Sequence, residues 1–439
     1  MGERIGIGLI GLGTVGGGVV KLLQDLPEAV RRRKHLGFDV RRVAVRDPGK
    51  GRPVAVEAAR LTTQAAEVIA DPTVQVVVEL TGAPAAYEWI RSALERGKDV
   101  VTANKAVIAR HGDELFALAL EHGVDLMFEA SVAGGIPIIR SLRTGLVANR
   151  VESLYGILNG TTNYILTRMS RGDGDYPEIL AAAQAMGYAE PDPTMDVSGQ
   201  DAAQKLAILC RIAFHATGTA ADIYTEGIER IAAADIDYAR ELGYTIKLLA
   251  IAKREGGRVE ARVHPVMLPR EALLANIHDV YNAIEVVGSA VGTQVFYGRG
   301  AGQMPTASAV VADLVELAER KVSGAGPAIG DMILGDGCAT FASIAQTQIR
   351  YYLRLQVQDR PGVLERIAHI LAEERISIAS VLQQERDLQG GVVPLIIVTH
   401  EAREAAMQRA LAALDGLADL GEPARLIRME DPQARNGEA

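Results

Sequence analysis

The 439-residue chain reads as three pieces in series: a parallel α/β domain, an α+β domain with a mixed sheet, and a C-terminal βαββαβ domain. Three observations carry that prediction. A buried strand at 5–10 (I-G-I-G-L-I) runs straight into Gly11-Leu12-Gly13-Thr14-Val15-Gly16 and then a helix. After Gly145 the strand–helix alternation gives way to strands with modest connections and no βαβ repeat. From Tyr352 onward the pattern runs strand, helix, strand, strand, helix, strand, the order of a ferredoxin-like domain. A chain this long exceeds what one core normally holds.

Composition narrows the partners. With 48% hydrophobic and 23% charged residues the chain is of ordinary globular type. A formal charge of −9 argues against nucleic acid as a partner. Two cysteines, Cys210 and Cys338, make neither a disulfide framework nor a metal cluster. Cys210 sits among Leu206, Ile208, Leu209 and Ile212, which predicts a buried, inert thiol. No leader precedes the first strand and no 18-residue apolar run is free of charge, so no membrane role and a cytoplasmic location are expected.

The first domain is expected over 1–140. A G-x-G-x-x-G run between strand and helix points to a Rossmann-type site for a dinucleotide rather than a chance Gly-rich turn. Gly11 permits the tight turn, Gly13 lets the pyrophosphate approach, and Gly16 lets the helix (about Thr14 to Leu26) pack on the sheet. The free N–H groups of that helix would face the phosphates. The next strand, Val40–Val45, ends in Arg46-Asp47. A carboxylate there suits the ribose of NAD, whereas an arginine pairs with the 2'-phosphate of NADP, so Arg46 leans toward NADP while Asp47 keeps NAD open. The basic run Arg31 to Lys34 reads as a solvated helix end. Strand Val74–Leu80 leads to Thr81-Gly82, and strand Asp99–Thr102 leads to Asn104-Lys105. Ligands lie beyond the carboxyl ends of such strands, which favours Lys105 as a cofactor or substrate contact over a surface lysine. A further strand at 124–128 precedes a Gly-rich turn with one carboxylate, Glu129 to Pro137. Backbone carbonyls in such a turn suit a hard cation, although turns of this composition are common.

The middle domain is expected over 141–302. Asn159-Gly160-Thr161-Thr162-Asn163 at a strand-to-helix junction suits either backbone close to a ligand or a well-capped helix. The stretch Gly187–Lys205 is too polar for a core segment, and it precedes a helix expected from Ser198 to Ala213. Asp201 and Lys205 share a face of that helix, with Glu190 and Asp196 in the loop before it. Two readings compete: an S-x-x-D cap with an ordinary i,i+4 pair, or a site for a small polar substrate. Gly302 then precedes a long apolar-striped helix, expected to return to the first domain over about 303–320. Residues 321–349 read as a linker, 350–430 as the C-terminal domain, and 431–439 as a disordered tail.

Six runs resemble homoserine dehydrogenases: GLGTVG at 11–16, TANKA at 102–106, EASVAGGIPII at 129–139, NGTTNYILT at 159–167, GYAEPDPTMDVSGQDAAQK at 187–205 and YGRGAGQMPTASAVVADL at 297–314. The run DRPGVLERIA at 359–368 resembles an ACT domain. The resemblance implies NAD(P)-dependent interconversion of L-homoserine and L-aspartate 4-semialdehyde. It implies Lys205 as proton donor and acceptor, Asp201 and Glu190 as substrate ligands, and Lys105 near substrate and cofactor. Gly11, Gly13, Thr14, Val15, Gly16, Arg46, Thr81, Gly187, Glu190 and Gly302 would line the cofactor. Glu129 with the backbone of Val132, Gly134 and Ile136 would hold a monovalent cation, sodium. Threonine would be the effector at the turn carrying Asp359 and Gly362, with assembly as a homodimer or homotetramer. With no kinase portion ahead of the first strand, a monofunctional enzyme is expected.

An ammonium at Lys205 suits reduction of an aldehyde, since it stabilises the developing alkoxide and supplies its proton. Oxidation needs the same lysine deprotonated first, which predicts slower oxidation below neutral pH. His278-Asp279 stands where the family usually has a glycine-containing turn, and Ser289 replaces a frequent aspartate. Two alternatives remain at this stage: a dehydrogenase of another small amino-acid-derived aldehyde, and a sensor of nucleotide and amino acid without turnover. A sensor has no need of proton-donating lysines.

Overall fold

The computed structural model describes residues 4–26, 37–52, 54–333, 338–383 and 391–432. The basic run at 31–34 and most of the expected tail lie outside them. The chain divides into two compact units. The first comprises residues 1–152, 204–222 and 281–340, and the second residues 153–203, 223–280 and 341–439.

In the first unit, six strands form one parallel sheet: β1 Arg4–Ile10, β2 Gly37–Ala44, β3 Leu61–Thr62, β4 Val76–Glu79, β5 Asp99–Thr102 and β6 Leu126–Met127. Their order is β3-β2-β1-β4-β5-β6, that of a doubly wound dinucleotide fold. Strand residues such as Ile7, Val77 and Val100 are fully buried, as expected where helices cover both faces. Two helices that the sequence reading did not identify appear here, Ala65–Ala70 and Lys105–Glu121. The second has a weak apolar stripe, and its start is set by Asn104, whose side chain accepts from Val107 N. Helix Gln303–Ser323 packs on helix Thr14–Gln24. Gly18 makes that approach possible, because a Cβ there would lie 2.9 Å from that of Ala307. Strands Tyr281–Gly288 and Gly292–Arg299 form an antiparallel hairpin in the same unit.

In the second unit, strands Tyr244–Glu255 and Arg258–Pro269 pair over their full length. They turn at Gly256-Gly257, both at positive φ, the backbone a two-residue hairpin loop requires. Strand Val151–Ile157 pairs antiparallel with Tyr244–Glu255. On the other side the sheet continues without a break into the C-terminal domain, since Arg258–Pro269 pairs in parallel with Arg425–Met429. Beyond it follow Gln348–Gln358, Val392–Thr399 and Ile378–Gln383, all antiparallel. Helices Val363–Glu373 and Glu404–Asp415 cover one face of these four strands, completing βαββαβ.

Buried charge marks the join. Glu430 accepts from Lys253 at 2.8 Å and from Arg262, and these two cations outweigh burial to pull its carboxyl down to about 2. Residues 321–349 are more than a linker. They hold the end of helix Gln303–Ser323, a 3-10 turn Ile329–Met332 with both end residues buried, and strand Ala339–Ala342.

Candidate active site

The cofactor-side residues lie at the carboxyl ends of β1, β2, β4 and β5. Gly11 has φ +100°, and a Cβ there would lie 2.8 Å from Thr81 Cγ2. At Gly16 a Cβ would run into the carbonyl oxygen of Gly11, so this glycine serves strand–helix packing. Gly13 differs from both. Its φ of −83° suits any residue, and among the described residues nothing beyond its chain neighbours lies within 4 Å of a Cβ placed there. Space at a helix N-terminus that the protein leaves open fits a pyrophosphate. Thr14 and Val15 supply the first turn of that helix, and Gln303 Nε2 donates to Thr14 O at 2.9 Å. Gly302, with φ +117°, caps the helix of Gln303.

Beyond β2, Arg46 is exposed. The Asp47 carboxylate accepts its own loop's Gly49 N at 2.8 Å. Arg52 donates to Pro48 O and Lys50 O, so the turn carries three cations, Arg46, Lys50 and Arg52.

Glu79, at the end of β4 and fully buried, had no role in the sequence reading. One carboxylate oxygen accepts from Thr81 N at 2.7 Å and from Thr81 Oγ1 at 2.6 Å. The other accepts from Thr102 Oγ1 at 2.9 Å, and that hydroxyl in turn accepts from Asn104 N at 3.0 Å. One buried carboxylate therefore ties the Thr81 loop to the turn that launches Lys105. An acidic residue closing the all-valine strand V-V-V-E was the available signal.

Glu129 is buried, and its two oxygens accept from Ile139 N at 2.9 Å and Arg140 N at 2.8 Å. Its own amide donates to Asp313 Oδ2 at 3.0 Å. Burial raises the Glu129 carboxyl above the usual range, and burial next to Glu129 raises Asp313 further. Val132 and Ile136 are buried, and between them Ala133 and Gly134 both have positive φ, which turns the chain sharply. A Cβ on Gly134 would lie 2.5 Å from Gly300 O. Among the described residues no cluster of three His, Cys, Asp or Glu could hold a metal, so a cation here would depend on carbonyl oxygens around Glu129.

The polar stretch folds differently from its sequence reading. Helix Tyr176–Ala185 ends before Gly187, at φ +75°. A short helix, Thr194–Val197, precedes helix Gln200–Phe214. The helix expected to begin near Ser198 starts at Gln200. Ser198 closes the short helix instead, and its hydroxyl is buried without a hydrogen-bond partner, so the S-x-x-D cap does not form. Asp201 is 3% exposed and faces inward. Its Oδ2 accepts from Asn159 Nδ2 at 2.8 Å, and the same nitrogen donates to Asp196 Oδ1 at 2.7 Å. Asn159 also caps the next helix, Gly160–Arg171, by accepting from Thr162 N. The capped-helix use of N-G-T-T-N is thus met at Asn159, whose amide nitrogen also ties it to the two aspartates. Lys205 is half-buried one helical turn beyond Asp201, whereas Glu190 is exposed, with its carbonyl held by Gln184.

Residues 11–129 match the family described as "Homoserine dehydrogenase, NAD binding domain", and residues 137–315 match "Homoserine dehydrogenase". The homoserine dehydrogenase of Pseudomonas aeruginosa is 45% identical over 432 residues, covering 98% of this chain and 99% of that protein. The chain belongs to the homoserine dehydrogenase family.

Residues 351–416 match the ACT domain. The crystal structure of a homoserine dehydrogenase from Thiobacillus denitrificans is 42% identical, covers 98% of this chain and 99% of its own, and superposes with a TM-score of 0.90. A hyperthermophilic archaeal homoserine dehydrogenase in complex with NADPH is 25% identical over 72% of this chain and 98% of its own, with a TM-score of 0.61. The activity is the NAD(P)-dependent interconversion of L-homoserine and L-aspartate 4-semialdehyde, and the sensor and other-aldehyde readings fall away. The chain thus joins the two homoserine dehydrogenase domains to a C-terminal ACT domain.

The family departures have local explanations. Asp279 adopts φ +57°, the left-handed conformation a glycine takes easily. Thr167 Oγ1 accepts its amide at 3.0 Å, and Arg171 forms a two-pronged ion pair with its carboxylate. Ser289 Oγ accepts from Arg150 N at 3.0 Å. In the ACT domain Gly362 has φ +89° at the start of helix Val363–Glu373, a conformation that favours glycine whatever binds there. Asp359 donates its amide to Gly391 O. No helix among the described residues is long and apolar enough to cross a membrane.

Proposed function

We propose that Lys205 is the proton donor and acceptor at the substrate oxygen, with Asp201 and Glu190 as substrate ligands and Lys105 at substrate and cofactor. The supporting observation is the clamp on Asp201: a buried carboxylate, fixed by Asn159, one turn from a half-buried ammonium on the same helix. Residues one turn apart on a helix share a face, so the fixed carboxylate and the ammonium can engage one small substrate. NAD(P) supplies and accepts the hydride at its nicotinamide ring. The chain's own residues manage charge. As the aldehyde becomes an alkoxide, the Lys205 ammonium stabilises it and gives it a proton, yielding the alcohol. In reverse, neutral Lys205 takes the hydroxyl proton. Glu190, anionic and exposed, suits the substrate ammonium.

Gly11, Gly13, Thr14, Val15, Gly16, Thr81, Gly187, Glu190 and Gly302 would contact the cofactor. NADP is the coenzyme this reading favours. The Asp47 carboxylate is engaged by Gly49, and exposed Arg46 beside it suits a 2'-phosphate. Glu129 with the carbonyls of Val132, Gly134 and Ile136 would hold sodium. A buried carboxylate whose oxygens accept from two backbone amides, in a turn with two successive positive-φ residues, fits such an ion. Threonine would act at the ACT turn of Asp359 and Gly362, in a cytoplasmic homodimer or homotetramer.

Initial rates of L-homoserine oxidation test this reading, run with NADP and NAD in parallel, with and without threonine, and with sodium or potassium present. Lys205→Ala should lower kcat by about 100-fold or more while cofactor binding persists. A variant that retains wild-type kcat removes Lys205 from proton transfer. The coenzyme ratio decides the role of Arg46, and loss of rate with threonine decides the effector.

A further inference from the structure

We propose that Glu226 and Gly227 form a wedge that positions the Asp196–Asn159–Asp201 cluster, and that Arg428 on the last ACT strand holds the wedge in place. The inference rests on the reading of Asp201 as a substrate ligand.

The wedge is the segment Tyr224–Ile228. On one side it is bridged in parallel to strand Arg258–Pro269, and Glu226 N donates to Val263 O at 2.8 Å. On the other it meets the turn between the two helices that carry Asp196 and Asp201. Ile228 N donates to Val197 O at 2.9 Å. Gly227 leaves no room for a side chain, because a Cβ would collide with Val197 O and lie 2.7 Å from Ser198 Cα. Gly199, at φ +84°, would place a Cβ 3.1 Å from Thr225 Cγ2. The segment therefore fills the gap between the sheet and Val197–Gly199. Because Asp196 and Asp201 share one Asn159 nitrogen, a shift of the turn between them changes both hydrogen bonds.

Arg428 is 1% exposed and divides its guanidinium between two elements. Toward the wedge it donates to Glu226 Oε2 at 2.7 Å and to Tyr224 Oη at 3.0 Å, and that phenol donates to Glu226 at 3.1 Å. Toward the ACT domain it donates twice to Glu404, at 2.9 and 2.5 Å, at the start of helix Glu404–Asp415. The rigid fork of an arginine transmits a shift of that helix to the wedge, which a flexible lysine would not. On its outer side the segment borders a cavity of about 740 Å³, lined also by Arg425, Leu411 and Gln408, which leaves room for outward movement. An effector that shifts the ACT helix would thus change homoserine affinity through one side chain.

Steady-state kinetics of the full-length enzyme test the proposal with Gly227→Ala, Glu226→Ala, Glu226→Gln and the control Asp201→Asn. Gly227 is not in the left-handed region, so its alanine acts by the added Cβ alone. Gly227→Ala and Glu226→Ala should each raise the homoserine KM roughly tenfold, with the NADP KM within about twofold of wild type. Glu226→Gln, which still accepts a hydrogen bond, should recover part of the loss. A merely structural role would lower the yield of active enzyme and leave the two KM values unmoved. Should Gly227→Ala fail to fold, the Glu226 series decides. Unchanged homoserine KM in that series, with Asp201→Asn impaired, overturns the wedge. An unimpaired Asp201→Asn overturns the substrate-ligand reading itself, and the wedge with it.

Discussion

Lys247 offers a direct measure of what burial costs this fold. It lies in strand Tyr244–Glu255, 1% exposed, and donates to Asn163 Oδ1 at 3.0 Å and to Ile277 O. Asn163 belongs to the helix that Asn159 caps, so this lysine anchors the element behind the Asp201 clamp. Burial pulls its ammonium down from the ordinary 10.5 to about 7, with Asp279 opposing and Arg171 assisting. Near neutral pH it is close to half neutral, and a neutral amine still has two N–H groups for its two acceptors. The difference of about 3.5 pH units corresponds to ~5 kcal/mol as an upper bound.

The sign follows from proton counting. Between about pH 7 and 10.4 the unfolded chain holds a proton on Lys247 that the folded chain has released, so stability rises with pH in that window. It is lost as pH falls toward 7, and below that the contribution is flat. The perturbation is Lys247→Met, and the assay is urea unfolding followed by far-UV circular dichroism at pH 7.5 and 9.5. Over those two units, stability of wild type relative to variant should rise by about 2–3 kcal/mol. A difference that stays constant from pH 7.5 to 9.5 would refute the reasoning, since it would mean Lys247 keeps its proton in the folded state.

Two further outcomes follow from the packing. Gly13→Ala meets nothing among the described residues beyond its chain neighbours and should leave the melting temperature within about 2 °C while weakening cofactor binding at least tenfold, whereas Gly16→Ala, facing the Gly11 carbonyl, should lower the melting temperature by several degrees. Calorimetry and NADP titration separate the two, and equal effects would contradict the division of roles. Cys210 is fully buried, and burial pushes its thiol far up, so a thiol reagent should label at most Cys338 in the native enzyme and both cysteines in urea. Rapid native labelling of two thiols would show that the helix of Cys210 opens.

Much of the fold was legible because its signals are short-range. The G-x-G-x-x-G turn, strands β4 and β5, and the βαββαβ order of the last domain all lie in contiguous residues. Helix Lys105–Glu121 escaped because its apolar stripe is weak. The S-x-x-D pattern at Ser198 is a local cap signal that the fold does not use, because Asp201 is drawn instead to a distant amide.

The sequence by itself determined the chemistry on offer: a dinucleotide turn, paired lysines and carboxylates, and a C-terminal domain of βαββαβ order. Only the tertiary structure decided which of these groups work together. Asn159 reaches Asp196 and Asp201 across 37 and 42 residues, and Arg428 reaches Glu226 across 202. In R-L-I-R-M nothing marks Arg428 as a buried cation, because its burial comes from the pairing of its strand with Arg258–Pro269. Such contacts are set by sheet register and packing, which depend on the whole chain and leave no local pattern to read.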